Sequence, residues 1–230
     1  MTALEFSRGY LHDAALIIMT IVYTLRLYWL TRFTAAKERQ APTGRGDTNS
    51  RKGFLYSWAN VAMPWAMEST RTKLFLYLQF VIFHLGVAAA IALLFTIAWG
   101  YGDRSLPPSL AMTFRIIIGT AFTVGLMRII RRLSSPYLRA ISSPDDHFSL
   151  WLLTLWFAFA FLAAPNNVAS DAVYITVYYI IGSFFLVYVP FSKISHYLYY
   201  PFTRYYLGKF LGRRGVFPVR RYSGATGQNG

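Results

Sequence analysis

The chain has 230 residues, 55% of them hydrophobic and 14% charged, with a formal net charge of +14 and no cysteine. Soluble domains run near 25% charged, so this composition excludes an ordinary soluble fold. The lack of cysteine excludes disulfides, an iron–sulfur cluster of the chain's own and a C-x-x-C-H attachment site for c-type haem.

A crossing needs about 20 apolar residues to traverse roughly 30 Å of hydrocarbon. The first such run is Ala14–Leu30, which closes on Arg26-Leu-Tyr-Trp29-Leu-Thr-Arg32, with aromatics and cations where a membrane border belongs. It has no small-residue cleavage pattern and reads as a retained span rather than a signal peptide. From Thr34 to Lys52 the chain is polar, holds Pro42, Gly44 and Gly46, and reads as a mobile loop. Phe54–Met67, with Trp58, Val61, Met63, Trp65 and Met67 around Pro64, reads as a segment at the membrane surface or against a partner. The second run is Leu74–Trp99, and Pro107-Pro108 close a tight turn after it. Ile116–Met127 and Leu150–Ala164 are short as bounded, and each is expected to borrow a turn from its flanks. Asp145-Asp146-His147 opens the fourth, two acids suiting the positive end of a helix dipole. The fifth, Val173–Val189, runs into Pro190–His196. The expected fold is all-α, a polytopic bundle of five transmembrane helices, because backbone polar groups in lipid must be satisfied within the helix. Residues 1–211 form that domain with a loop at 33–72, and 212–230 read as a disordered tail.

The basic excess is distributed by topology. Of the 23 Lys and Arg, eight lie between spans one and two, four between spans three and four, and seven after Pro190. Only Arg8, Arg104 and Arg115 fall on the other side. Positive-inside bias places the N-terminus outside and the C-terminus in the cytoplasm. The charge therefore reads as orientation plus attraction to anionic lipid, not as a nucleic-acid footprint.

Four histidines remain to be weighed. His12 precedes span one on the outer side and His147 opens span four on the inner side, so those two share no cofactor. Each of them reads more simply as a structural ring. His84 lies inside span two, and His196 follows span five on the cytoplasmic half. A polar ring in a span is costly unless something binds it, and two imidazoles from two helices are what a six-coordinate b-type haem needs. His84 alone reads equally as a ligand or as a ring hydrogen-bonded to a neighbouring helix.

The segment Pro190-Phe-Ser-Lys-Ile-Ser-His196, followed by Pro201 and Arg204-Tyr-Tyr-Leu, resembles the last-helix motif of the membrane cytochrome b subunit (gamma) of respiratory nitrate reductase. Relatives in heterodisulfide reductase and in sulfite-reduction-associated membrane complexes are similar. Phe83-His84-Leu-Gly86 resembles the second-helix motif of that family. In it, the second helix supplies two histidines about ten residues apart and the last helix two about eighteen apart, which together hold two stacked haems. Here Leu94 stands ten residues after His84 and Tyr178 eighteen before His196, so both outer-haem ligands are missing. The resemblance implies one haem b near the cytoplasmic side, ligated by His84 and His196. Lys193, Arg204 and Arg71 are the candidates to meet its propionates or to anchor helix ends.

These readings combine into an anchor subunit of a respiratory oxidoreductase in a prokaryotic cytoplasmic membrane. It would pass electrons between a membrane quinone and a cytoplasmic iron–sulfur subunit of the same hetero-oligomer, with no catalytic residue of its own. The alternative is a haem-free anchor or proton-conducting subunit. A transporter fits worse, since five spans show no inverted repeat.

Overall fold

The computed structural model describes residues 1–33, 41–63 and 72–219. All their regular structure is helical. Five helices are long and apolar enough to cross a membrane: α1 (Ala3–Arg32), α3 (Leu74–Tyr101), α4 (Pro108–Ser134), α6 (Pro144–Ala163) and α7 (Val168–Phe191). Three shorter helices occur among the other described residues: α2 (Ser50–Ala62), α5 (Pro136–Ile141) and α8 (His196–Arg213). The chain is an all-α, polytopic bundle. It divides into two compact units, 1–33 with 75–195 and 34–74 with 196–230.

Local sequence sets the helix starts in the first unit. Thr2 and Glu5 form a reciprocal capping box at α1, and Ser143 and Asp146 form another at α6, where Pro144 occupies the first turn. Asn167 caps α7 by accepting from the amide of Ala169. Gly102, at φ 58°, ends α3 in a conformation that costs glycine little. Both α1 and α3 contain a π-helical turn, at Ser7–Leu11 and Thr96–Tyr101.

The core of this unit is packed by Ile118, Ala121, Phe157, Ala160, Ile175, Tyr178 and Tyr179, all fully buried. Gly86 lets α3 approach α4: a Cβ there would collide with that of Ala121. Phe83 meets Phe157 edge to face at 5.2 Å. Outward-facing Ile17, Ile21, Leu25, Phe75, Leu85, Trp151 and Phe184 leave an apolar exterior suited to lipid.

In the second unit, α2 and α8 pack through glycine. A Cβ on Gly53 would strike the carbonyl oxygen of Gly208 and Cα of Gly212, and one on Gly208 would come within 2.6 Å of Ser57 Cβ. Thr48 Oγ1 donates to Gly212 O at 2.6 Å, and the amide of Arg45 donates to Gly215 O at 3.3 Å. The guanidinium of Arg45 reaches Pro218 O at 3.2 Å and pairs with Asp47.

Several boundaries differ from the sequence expectation. The third span gains two turns at each end rather than one. The stretch read as a loop to Lys52 becomes helix at Ser50, capped by Asn49 accepting from the amide of Lys52. Phe54–Met67 is helical in its described first half, while Pro64, Trp65, Met67 and Arg71 lie outside the described residues. The segment expected to be a disordered tail from 212 is held by Arg45 and Thr48 as far as Pro218.

Candidate functional site

His84 stands on the exterior of the first unit, in a largely apolar helix. Its ring lies 4.0 Å from that of Phe80, one turn earlier, and Nδ1 is 2.8 Å from Phe80 O. A carbonyl oxygen only accepts, so Nδ1 carries a proton, and in the neutral ring Nε2 is then the nitrogen with the lone pair. That arrangement resembles metal-ligating histidines, whose second nitrogen donates to a carbonyl or carboxylate and so fixes ring and tautomer. Gly86 and Phe83 hold this turn of α3 against α4 and α6, so the ring sits on a rigid element.

His196 belongs to the second unit. The helix after the fifth span is broken first: two short 3-10 turns, Val189–Phe191 and Lys193–Ser195, precede His196, which opens α8 and is exposed.

The cations of the motif have protein partners. Lys193 Nζ donates to Asp146 at 3.1 Å and to Ser143 Oγ at 2.7 Å. Asp145 accepts from the hydroxyl of Tyr188, which also meets Ser149 at 3.1 Å. The Pro190–His196 segment is thereby fastened to the start of α6, a pairing that spans 47 residues of sequence. Arg204 donates through Nε and Nη2 to Ser57 O at 3.1 and 2.7 Å, and lies 6.0 Å from the Tyr200 ring. It ties α8 to α2.

The positions where the family's outer haem ligands would stand are filled by packing. Leu94 and Tyr178 are buried. Tyr178 donates to Ala90 O at 2.5 Å, Tyr179 to Leu94 O at 2.8 Å, and Trp156 Nε1 to Tyr178 O at 3.2 Å. Trp156 stacks on Tyr178 at 5.7 Å.

His12, read from the sequence as a structural ring, is set in the core. It is fully buried, edge-on to Tyr179 at 5.5 Å and tilted against Phe95 at 5.9 Å, and neither ring nitrogen has a hydrogen-bond partner. Nearby in sequence, Arg8 bonds Gly102 O at 3.0 Å and Asp103 at 2.7 Å. Asn166 donates to Gly102 O and Arg104 O, each at 2.8 Å. Neither hydropathy nor a motif marks His12, since it precedes the expected start of the first span. His147 is half-buried at the start of α6. No group of three or more His, Cys, Asp or Glu with metal-binding geometry occurs among the described residues.

No protein-family model matches the chain. It is similar to a curated protein of Nitratidesulfovibrio vulgaris, 26% identical over 164 residues that cover 68% of this chain and 70% of that protein. The relative's description is simply "Protein", so the likeness carries no activity to this chain.

Proposed function

We propose that the chain is a haem b-containing membrane anchor subunit of a respiratory oxidoreductase, with His84 and His196 as the two axial ligands. The observation that carries this is the imidazole of His84. It is a polar ring on the apolar exterior of a spanning helix, with Nδ1–H committed to Phe80 O and the lone pair placed on Nε2. A bis-imidazole haem b supplies a one-electron carrier whose filled axial positions suit outer-sphere transfer. The chain's own residues orient the ring and, through Lys193 and Asp146, secure the segment leading into His196. With no cysteine for a cluster of its own, the chain exchanges electrons with a cytoplasmic iron–sulfur subunit on one side and a quinone-type carrier in the prokaryotic cytoplasmic membrane on the other. The packed Leu94 and Tyr178 favour one haem rather than two.

The test is a pyridine haemochrome assay on the purified full chain, with His84→Ala and His196→Ala alongside. About one haem b per chain, lost from both variants, is the expected result. Two haems would overturn the single-haem assignment, and a colourless protein would overturn the cytochrome. The second reading, a haem-free anchor or proton-conducting subunit, is favoured by a different residue: His12, an ionisable ring buried among spans with no partner on either nitrogen.

A further inference from the structure

The second unit holds thirteen of the chain's 23 Lys and Arg but three of its nine Asp and Glu, so it carries +10 of the net +14. Among the described residues its two helices, α2 and α8, use one face each for their mutual packing. On α8 that face is Gly208 and Gly212, both buried. The opposite face repeats at Tyr200, Thr203, Leu207, Phe210 and Arg214, a spacing that keeps side chains in one stripe. Along it Tyr200, Leu207 and Phe210 are 45%, 40% and 44% exposed. Cations border the stripe. Arg214 lies 5.5 Å from the Phe210 ring, and Arg213 beside it is exposed.

We propose that this face of α8 lies on the membrane surface, with Leu207 and Phe210 among the acyl-chain ends and Arg213 and Arg214 against anionic phospholipid headgroups. Two observations select lipid over a soluble partner. The first is composition: exposed Tyr, Leu and Phe flanked by Arg are the groups that helices lying in the interface present. The second is connectivity. The α8 helix begins at His196, directly after the short turns that close α7 at Phe191, and the rest of the unit is joined to α1 at Arg32 and to α3 at Leu74. Every covalent entry to the unit is therefore the cytoplasmic end of a span, so the headgroup layer is the surface within its reach. The cations supply the charge complement to an anionic leaflet, and that attraction weakens with salt. This inference does not depend on the haem.

Because the chain lacks cysteine, a single introduced thiol labels one position. The full-length protein carrying Leu207→Cys, spin-labelled, is placed in nanodiscs of phosphatidylcholine alone or mixed with phosphatidylglycerol. Leu55→Cys, on the outer face of α2, is the comparison site, 54% exposed in the native chain. Collisions with oxygen, which partitions into lipid, and with a water-soluble nickel chelate report the depth of each label. The expected result is a several-fold rise in the oxygen-to-nickel ratio at 207 in anionic discs, reversed by high salt and by Arg213→Gln with Arg214→Gln, while the label at 55 stays aqueous. A label at 207 that is equally aqueous in both lipid compositions overturns the proposal and leaves the face to a protein partner. A spectrum as narrow as that of a free chain at both sites would overturn the packed helix pair on which the proposal stands.

Discussion

Gly53→Ala tests the packing that shapes the second unit. The added methyl meets backbone on both sides, the carbonyl oxygen of Gly208 and Cα and N of Gly212, with the last only 2.7 Å away. No rotamer change relieves such a clash, because none of these atoms belongs to a side chain. To reach ordinary contact α8 must retreat by roughly an ångström, which strains the bonds from Arg204 to Ser57 O and from Thr48 to Gly212 O. Overpacking of this kind costs about 1–3 kcal/mol, or roughly 5- to 150-fold in the equilibrium for separating the two helices. Hydrogen exchange on the solubilised full chain reads that equilibrium directly in peptides covering 50–62 and 196–213. Gly46→Ala is the control within the same unit, since a Cβ there meets nothing within 4 Å. Faster exchange in both helices for Gly53→Ala, with Gly46→Ala like the native chain, is the expected pattern. Native exchange in Gly53→Ala would refute the glycine-mediated contact.

Asn166→Ala should lower the thermal midpoint more than Asn166→Gly. Both lose the two bonds to Gly102 O and Arg104 O, worth about 0.5–1.5 kcal/mol each, but only alanine also meets a steric penalty at the observed φ of 53°. Equal midpoints would contradict the left-handed turn. His12→Phe should leave the midpoint unchanged or raise it, because it keeps the ring contacts with Phe95 and Tyr179 and removes two buried nitrogens that have no partner. A clear fall would mean that those nitrogens hold a water or another ligand.

Much of the fold was legible because hydropathy is a local property. Five apolar runs separated by basic or turn-rich segments mark five crossings without any knowledge of packing. Their lengths were less legible, and the third span explains why. Arg115 and Arg128 bounded it at Ile116–Met127, yet the helix continues past both. The Arg115 guanidinium lies 5.3 Å from the Phe161 ring and its Nε donates to Phe161 O, while Arg128 lies 4.9 Å from the Phe83 ring. Cations near a span's ends are accommodated by aromatic faces on neighbouring helices, which a linear count does not see. The partner of Lys193 was hidden for the same reason. The sequence reads Asp146 as serving a helix dipole and Lys193 as meeting a propionate or anchoring a helix end; that the two meet each other is seen only in the fold. The burial of His12 is wholly tertiary, produced by Phe95 and Tyr179 from two other helices.

The contrast between the two levels of α3 bears on the number of haems. At Leu94 the helix is tightly seamed to α7: Tyr178 and Tyr179 each donate to a carbonyl of α3, and a Cβ on Gly182 would come within 2.5 Å of Leu94 Cδ1. A porphyrin at that level would have to break both bonds and part the helices. Two tyrosine hydroxyls would then lie in hydrocarbon without acceptors, each at a cost of about 1–3 kcal/mol. Ten residues earlier, about 15 Å along the helix, the ring of His84 stands on the exterior of the unit, against the ring of Phe80. Leu94 and Tyr178 therefore lie in a closed seam, while His84 lies on the exterior of its unit. That correlation within one helix is what supports one haem b at the His84 level and none at Leu94, and it is why a second haem in the pyridine assay would count against both the seam and the proposal.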